Sequence, residues 1–296
     1  MMSVAQELIK SQPTRKKIKR TPYLLILPGV IWLFLFFLFP LSTLLATSLQ
    51  KPAGLSPDDG FLPAFKISNY SNALIEYYPQ FFRGFLYAGI ATVFCLLLAY
   101  PIAYYMAFKA RKFRNLMLVL IVAPFFASFL LRTNAWKTIL SGDGLVVGFL
   151  NFLNLLPQER ILNTSLAVIA GLTYNFLPFM ILPLYTSLEK IDPRLIEAAG
   201  DLYSPPSQRF WKVVWPLSLP GVISGTLLTF IPASGDYINA ELLGSIKDKM
   251  IGNVIQSQFI DLRDYPTASA LSFTFMAIIL VIIYLYIRRA GTDDLV

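Results

Sequence analysis

The sequence predicts an all-α integral membrane protein with six transmembrane helices. Three observations predict it: an apolar composition, six long uncharged runs, and a lopsided placement of Lys and Arg. Of the 296 residues, 56% are hydrophobic and 14% charged, with a mean hydropathy of +0.60. Soluble domains carry about 25% charged and about 45–50% apolar residues, so the departure is toward a chain that lives in lipid.

A helix needs about 20 mostly apolar residues to cross the hydrocarbon core. The uncharged runs Thr21–Gln50, Gly84–Phe108, Asn115–Leu131, Ile161–Leu188, Val213–Gly235 and Tyr265–Ile287 reach or approach that length. They predict spans near 23–46, 85–108, 115–135, 164–188, 216–235 and 267–288, the third running past Arg132. A seventh run, Leu145–Gln158, is too short and carries Gly148, Asn151, Asn154 and Pro157; it reads as an interfacial or re-entrant segment. The first span follows Arg15, Lys16, Lys17, Lys19 and Arg20, as a signal peptide would. Its apolar part, Tyr23–Leu45, exceeds the ~7–15 residues of a signal h-region, and no small-residue cleavage site follows directly. The expectation is a retained helix.

Six spans put both termini on one side. Sixteen of the 25 Lys and Arg fall in residues 1–20, the second-to-third connection, the fourth-to-fifth connection and the tail, and nine in the other three connections. The positive-inside rule then places both termini in the cytoplasm, with 1–20 a basic cytoplasmic arm and 21–296 a single transmembrane domain. This partition absorbs the net charge of +8, so no nucleic-acid surface is needed.

Absences narrow the chemistry. The chain has no histidine and a single cysteine, Cys95, which excludes histidine triads, histidine-ligated zinc and an internal disulfide. Cys95 lies in an apolar run and reads as a small buried residue. No P-loop, H-E-x-x-H or G-x-S-x-G motif occurs. Nucleotide-driven work would need an ATPase on another chain.

The connection 189–215 is the longest on the cytoplasmic side. Asp192-Pro193 is a helix start, since Asp caps free N–H groups and Pro suits the first turn. Leu195, Ile196, Ala199 and Leu202 fall on one face. Ser204-Pro205-Pro206 reads as a turn and second start, with Ser204 as cap and Pro205 first in the helix. Phe210, Val213 and Val214 form the apolar stripe of a second short helix.

The run Glu197-Ala198-Ala199-Gly200-Asp201-Leu202, followed by Phe210, Val213, Pro216, Leu217, Pro220 and Gly221, resembles the EAA loop of ABC importer permeases. The resemblance implies a type I ABC importer permease (MetI-like) fold. It also implies that Glu197 through Leu202, with Phe210, form a coupling helix docked in the cleft of an ATPase subunit. The family places Gly then Ala after the Leu, whereas this chain has Tyr203-Ser204. Tyr resists positive φ, so the expectation is a turn with different backbone angles.

Three further blocks extend the resemblance to spermidine/putrescine permeases. They are Pro124-Phe125-Phe126 with Leu131–Trp136, then Leu177–Tyr185, then Phe230–Tyr237 with Glu241–Gly244, Met250–Ile255 and Gln258-Phe259. The resemblance implies a second homologous permease subunit, two ABC ATPase subunits holding ATP and Mg, an extracytoplasmic solute-binding protein, and no cofactor on this chain. Asp236 lies at the outer end of the fifth span beside Pro232 and Gly235. It reads either as a carboxylate facing a passing ammonium group, or as a helix cap or ion-pair partner of Arg132 or Lys247. Glu241 reads as path or loop surface. Tyr174, Asn175 and Tyr237 offer cation–π faces and hydrogen bonds, or simply interhelical packing. Pro178 and Pro183 read as kinks.

The rivals are an ABC permease for another solute (iron(III), sulfate or an opine), an ATPase-independent channel or carrier, and a membrane-embedded enzyme. No internal repeat of the kind ion-coupled carriers carry is evident, and no convergent polar constellation marks an enzyme.

Overall fold

The computed structural model describes residues 21–54, 59–110, 112–153 and 161–290. The basic arm 1–20, Arg111 and the stretch 154–160 that ends the predicted interfacial segment lie outside the described residues. Two compact units result, divided after Ala46.

The first unit is a helical rod: α1 (Thr21–Leu33), a π turn over Phe34–Leu38, and α2 (Phe39–Ser48). Leu25–Phe39 expose their side chains all round, as a helix in lipid does. The π turn ends with the Phe39 N–H on the Phe34 carbonyl. Pro40 follows; its ring would strike the carbonyl four residues back, and the widened turn relieves that clash.

The second unit opens with an antiparallel ribbon of β1 (Gln50–Pro52) and β2 (Phe61–Pro63). Helix α3 (Ser68–Phe108) has 41 residues and is about 60 Å long at 1.5 Å per residue. It contains the predicted 85–108 stretch and continues far beyond the ~30 Å that a bilayer requires. Glu76 and Arg83 lie on that extension, so the uncharged run begins well inside the helix.

The predicted third span is not one straight helix. Residues Arg114–Phe126 and Phe129–Ile139 are bent by 96° at the break. The first arm is α4 (Arg114–Val122) plus a 3-10 turn over Ala123–Phe126, and the second is α5 (Phe129–Ile139). Pro124 has no N–H to donate; the turn tightens, and Ala127 leaves it in an extended conformation. The second arm does run past Arg132. Helix α6 (Leu145–Phe152) is the short helix of the predicted interfacial segment.

Helix α7 (Ser165–Glu189) starts at Thr164, whose hydroxyl accepts the Ala167 N–H, and passes unbroken through Pro178 and Pro183. After the loop come α8 (Pro193–Asp201), α9 (Pro206–Arg209), a π turn over Phe210–Val214, and α10 (Trp215–Ser234). This second π turn repeats the first: the Trp215 N–H reaches the Phe210 carbonyl one residue before Pro216. The chain closes with α11 (Ile238–Leu243), α12 (Ile251–Ile260) and α13 (Tyr265–Ala290).

Helices α3, α7 and α10 pack against one another, and α13 lies along α3. Between membrane helices, small residues permit close approach. Ala88, Ala91, Cys95, Ala99 and Ala103 form a fully buried stripe on α3, and the Cys95 thiol donates to the Thr173 carbonyl at 3.3 Å. On α10, a Cβ at Gly221 would lie 2.5 Å from Ser187 Cβ, and one at Gly225 2.7 Å from Met180 Sδ. These contacts lock α10 onto α7. The loop joining those two helices is therefore rooted in a rigid pair.

Candidate functional site

The loop between α7 and α10 folds as two short helices. Asp192 caps α8, its Oδ1 accepting the Arg194 N–H at 2.9 Å with Pro193 in the first turn. The second start falls one residue later than the sequence suggests. Pro205 is the cap position and Pro206 opens the helix, and no side chain bonds there. Ser204 instead closes α8: its N–H reaches the Ala199 carbonyl at 3.2 Å, and the Tyr203 N–H reaches Gly200 at 2.9 Å. That pair of bonds is the Schellman ending, which requires a left-handed residue between them. Tyr203 supplies it, with φ +58°. The expectation of different backbone angles was wrong. The turn keeps the glycine geometry and carries its cost, about 1–2 kcal/mol for a residue with a Cβ.

The loop's side chains divide into two sets. Ile196 and Phe210 pack against the core of α3 and α7 around Tyr100, Leu184 and Leu188. Phe210 meets Tyr100 edge-on at 5.4 Å between ring centroids, and the Tyr100 and Ser218 hydroxyls are 2.8 Å apart. Phe210 thus roots the loop and does not face outward. Arg209 lies across Gly200, close enough that a Cβ there would sit 3.1 Å from its guanidinium. Glu197, Ala198, Asp201 and Leu202 are exposed; Ala199 is half-buried. Leu195 and Leu202 do not share the buried face with Ile196, since Leu202 is 82% exposed. At the loop's edge, Arg114 at the start of α4 pairs with Glu189 at the end of α7.

The second cluster lies where α10 ends. Asp236 Oδ1 accepts the Asn239 N–H at 2.7 Å, and Oδ2 accepts the Asn239 side-chain amide at 3.2 Å. Of the readings open for Asp236, these are the bonds of a helix-end cap, made one residue ahead of the N-cap position Tyr237 of α11. The ion pairs considered with Arg132 and Lys247 do not form. The Arg132 guanidinium stands over the Phe125 and Phe129 rings at 5.0 and 5.5 Å. The Lys247 carbonyl accepts from Arg83. Burial pushes the Asp236 carboxyl up to about 6, against the lowering effect of hydrogen bonds from Asn239 and Ile238.

Asn239 continues the chain inward. Its Oδ1 accepts the Asn175 amide at 3.0 Å, and that amide also reaches the Thr133 hydroxyl at 3.3 Å. Thr133, Asn175 and Asn239 are almost wholly buried, on α5, α7 and α11. Asn175 is fourteen residues from the loop end of α7, about 21 Å at 1.5 Å per residue. A polar thread thus runs from Asp236 into the depth of the helix bundle. Asn175 Oδ1 has no partner there. Tyr174 points elsewhere: it lines an apolar groove of about 480 Å³ with Trp136, Leu98 and Leu177, its ring 5.2 Å from that of Trp136. Tyr237 is exposed. Glu241 accepts from Asn253 at 3.1 Å, with Lys249 Nζ at 3.9 Å. The structure therefore joins Asp236 to Asn175, joins Tyr237 to Glu241 through Asn253, and leaves Tyr174 apart.

Five organising residues escaped the sequence reading of this site. Asn253, buried, donates to the Tyr237 carbonyl at 2.9 Å and accepts the Met250 N–H at 3.0 Å, holding α12 to the start of α11. Asn239 carries a weak signal, an Asp three residues before it. Ser245-Ile-Lys-Asp248 is a legible capping box; Ser245 donates its N–H and hydroxyl to Asp248, and Tyr87 adds a third bond at 2.9 Å. Burial works to raise the Asp248 carboxyl, but these bonds and the nearby Arg83 outweigh it and hold it below the ordinary value. Gly252 has no sequence signal for its role: a Cβ there would lie 2.4 Å from the Gly235 carbonyl.

A bundle of long apolar helices, bearing a two-helix loop rooted in its core, defines the class: a multi-pass membrane protein. Residues 21–290 match the model of the "binding-protein-dependent transport system inner membrane component" family, and the chain belongs to that family. It is 41% identical over 261 residues to the spermidine/putrescine transport system permease protein PotB of Haemophilus influenzae, covering 87% of this chain and 90% of the relative. It is 38% identical over 263 residues to the protein of that name from Escherichia coli, covering 88% and 94%. Among solved structures it is similar to a bacterial ABC transporter that imports alginate, with a TM-score of 0.71, 16% identity, and 93% and 97% of the two chains covered. A bacterial alginate ABC transporter in complex with an alginate pentasaccharide-bound periplasmic protein gives a TM-score of 0.72 at 16% identity, with 94% and 97% covered. The fold is that of type I ABC importer permeases, and the protein is a multi-pass inner-membrane subunit of a binding-protein-dependent system.

Proposed function

We propose that this chain is one of two permease subunits of an ATP-driven importer that carries polyamines into the cytoplasm. The observation that carries this reading is identity of 41% to a spermidine/putrescine permease over 87% of the chain. Its partners are a homologous second permease, two ABC ATPase subunits that hold ATP and Mg, and an extracytoplasmic polyamine-binding protein. Both termini and the loop 189–215 lie in the cytoplasm.

In this mechanism the exposed face of α8, with Glu197, Ala198 and Asp201, sits in an ATPase cleft. Closure of the ATPases on ATP draws the loops together. Phe210 and Ile196 pass that motion into α3 and α7, and the close α7–α10 contact at Gly221 and Gly225 keeps the two helices moving as one. The permease pair then opens outward to receive solute, and hydrolysis resets it. Tyr237 and Glu241 form the approach for an ammonium group, through a ring face and a carboxylate. Asp236 and Asn175 hold the wall behind them.

Uptake of radiolabelled spermidine and putrescine in cells deleted for this chain tests the reading. Loss of uptake, restored by the intact chain but not by Glu197→Lys, is the expected result. Undiminished polyamine uptake with loss of sulfate, iron(III) or opine uptake would replace the solute and keep the mechanism.

A further inference from the structure

The loop between α8 and α9 contains a contradiction that packing does not resolve. Its Schellman bonds are complete, its left-handed position is the one where glycine is free of strain, and yet it holds Tyr203 at φ +58°. The side chain gains nothing from the fold in return. Tyr203 is 97% exposed, and its hydroxyl bonds to no described residue. Leu202, beside it, is also exposed. Behind the tip the loop is stiff, with Arg209 across Gly200 and Phe210 against Tyr100. A large ring held out on a rigid mount, at a backbone cost, is placed for something outside this chain.

We propose that Tyr203, with Leu202, is an anchor for the ATPase subunit, its ring seated in an apolar socket beside the cleft that takes α8. The proposal rests on the coupling role given to this loop above and adds to it a residue outside the Glu197–Leu202 run. Three features favour a protein socket. Tyrosines on rigid backbones are typical interface anchors, because little side-chain freedom is lost on binding. The position is continuous with the exposed face of α8. Asp201 and Glu197 are exposed on the short helix that leads into Tyr203, and these carboxylates would be repelled by the anionic headgroups of a cytoplasmic leaflet.

The test uses the full permease pair in nanodiscs and the ATPase subunit isolated from the same assembled importer, with its release followed over time. Tyr203→Gly removes the ring while relieving the turn, so a merely structural role predicts an unchanged or firmer complex. The anchor predicts release at least about tenfold faster for Tyr203→Gly and Tyr203→Ala, and within about threefold of the parent for Tyr203→Phe. Release of Tyr203→Gly at the parental rate, with Glu197→Lys still releasing the ATPase, would overturn the anchor and leave the coupling role standing. Parental rates for both variants would overturn both. A fluorophore on Tyr203→Cys that is quenched by brominated lipid in the assembled importer would assign the ring to the membrane and sink the proposal.

Discussion

The Asn175 side-chain amide donates to Asn239 Oδ1 at 3.0 Å, joining the middle of α7 to the short helix that follows α10. Neither residue is exposed to solvent. The bond matters because Asn239 is also the group that holds Asp236, so one side chain carries the connection between a carboxylate near the end of a span and the interior of the bundle.

Asn239→Ala should therefore cost more than one hydrogen bond. It leaves the Asn175 amide only its 3.3 Å contact with Thr133, and in the same step leaves Asp236 Oδ2 without the Asn239 amide, while the backbone N–H on Oδ1 stays. Leaving buried polar groups unsatisfied costs about 1–3 kcal/mol each. Thermal unfolding of the detergent-solubilised importer should show a clear loss of stability, larger than that of Thr133→Val, which removes the 3.3 Å contact and the hydroxyl's bond within its own helix to the Phe129 carbonyl at 3.1 Å.

Asp236 imposes a pH dependence whose sign follows from its raised value. Its folded value of about 6 lies above the ordinary carboxylate value of 3.8. Between those values the folded state holds a proton that the unfolded state has released, so stability falls as pH rises from about 4 to about 6. Asp236→Asn should flatten that limb in unfolding midpoints measured across the range. Asp248 acts oppositely: held low, it contributes stability above the ordinary carboxylate value that is lost as pH falls. If Asp236 also serves the solute path, Asp236→Asn will lower polyamine uptake more than it lowers assembly; unchanged uptake leaves it a cap alone.

Gly252→Ala should be poorly tolerated. The added Cβ would press to 2.4 Å from the Gly235 carbonyl, and backbone cannot yield as a side chain can. Overpacking of this kind costs about 1–3 kcal/mol. Gly89→Ala on α3, where nothing lies within 4 Å, is the control and should be neutral or stabilising. Expression level and thermal midpoint distinguish the two.

Glu197→Lys and Phe210→Ala should fail differently. Reversing the exposed charge of Glu197 should abolish uptake with membrane insertion intact, by weakening ATPase association. Phe210→Ala removes the ring that meets Tyr100 and should leave the ATPase bound while uncoupling its hydrolysis from uptake. Normal uptake by Glu197→Lys counts against the coupling role; loss of ATPase binding by Phe210→Ala counts against Phe210 as a root.

Much of the fold was legible because hydrophobicity is a local property of the chain. Uncharged runs mark the long helices whatever their neighbours do. The ends of α3 were not legible, because once the helix leaves lipid it tolerates Glu76 and Arg83. The bend between α4 and α5 was missed because the uncharged run 115–131 passes straight across the break, so composition does not mark it. In the loop, Asp192-Pro193 announced its helix, while Tyr203 misled: local propensity argued against positive φ, and the helix ending, rooted on both sides, overrode it. Phe210 looked like a partner contact in sequence and is a core contact in space.

The sequence alone determined that this chain spans a membrane through long apolar helices, that it lacks a nucleotide motif, and that the segment around Glu197 forms a helix led by Asp192 and Pro193. Each depends on residue type and near-neighbour spacing, which act within a few turns of chain. Only the tertiary structure decided that Asp236 is a cap tied through Asn239 to Asn175, that Gly252 abuts Gly235, and that Phe210 faces inward. Those relations join residues far apart in sequence, or turn on which way a side chain faces once the helices have packed, and burial then gives hydrogen bonds and close contacts an energy that no local pattern encodes.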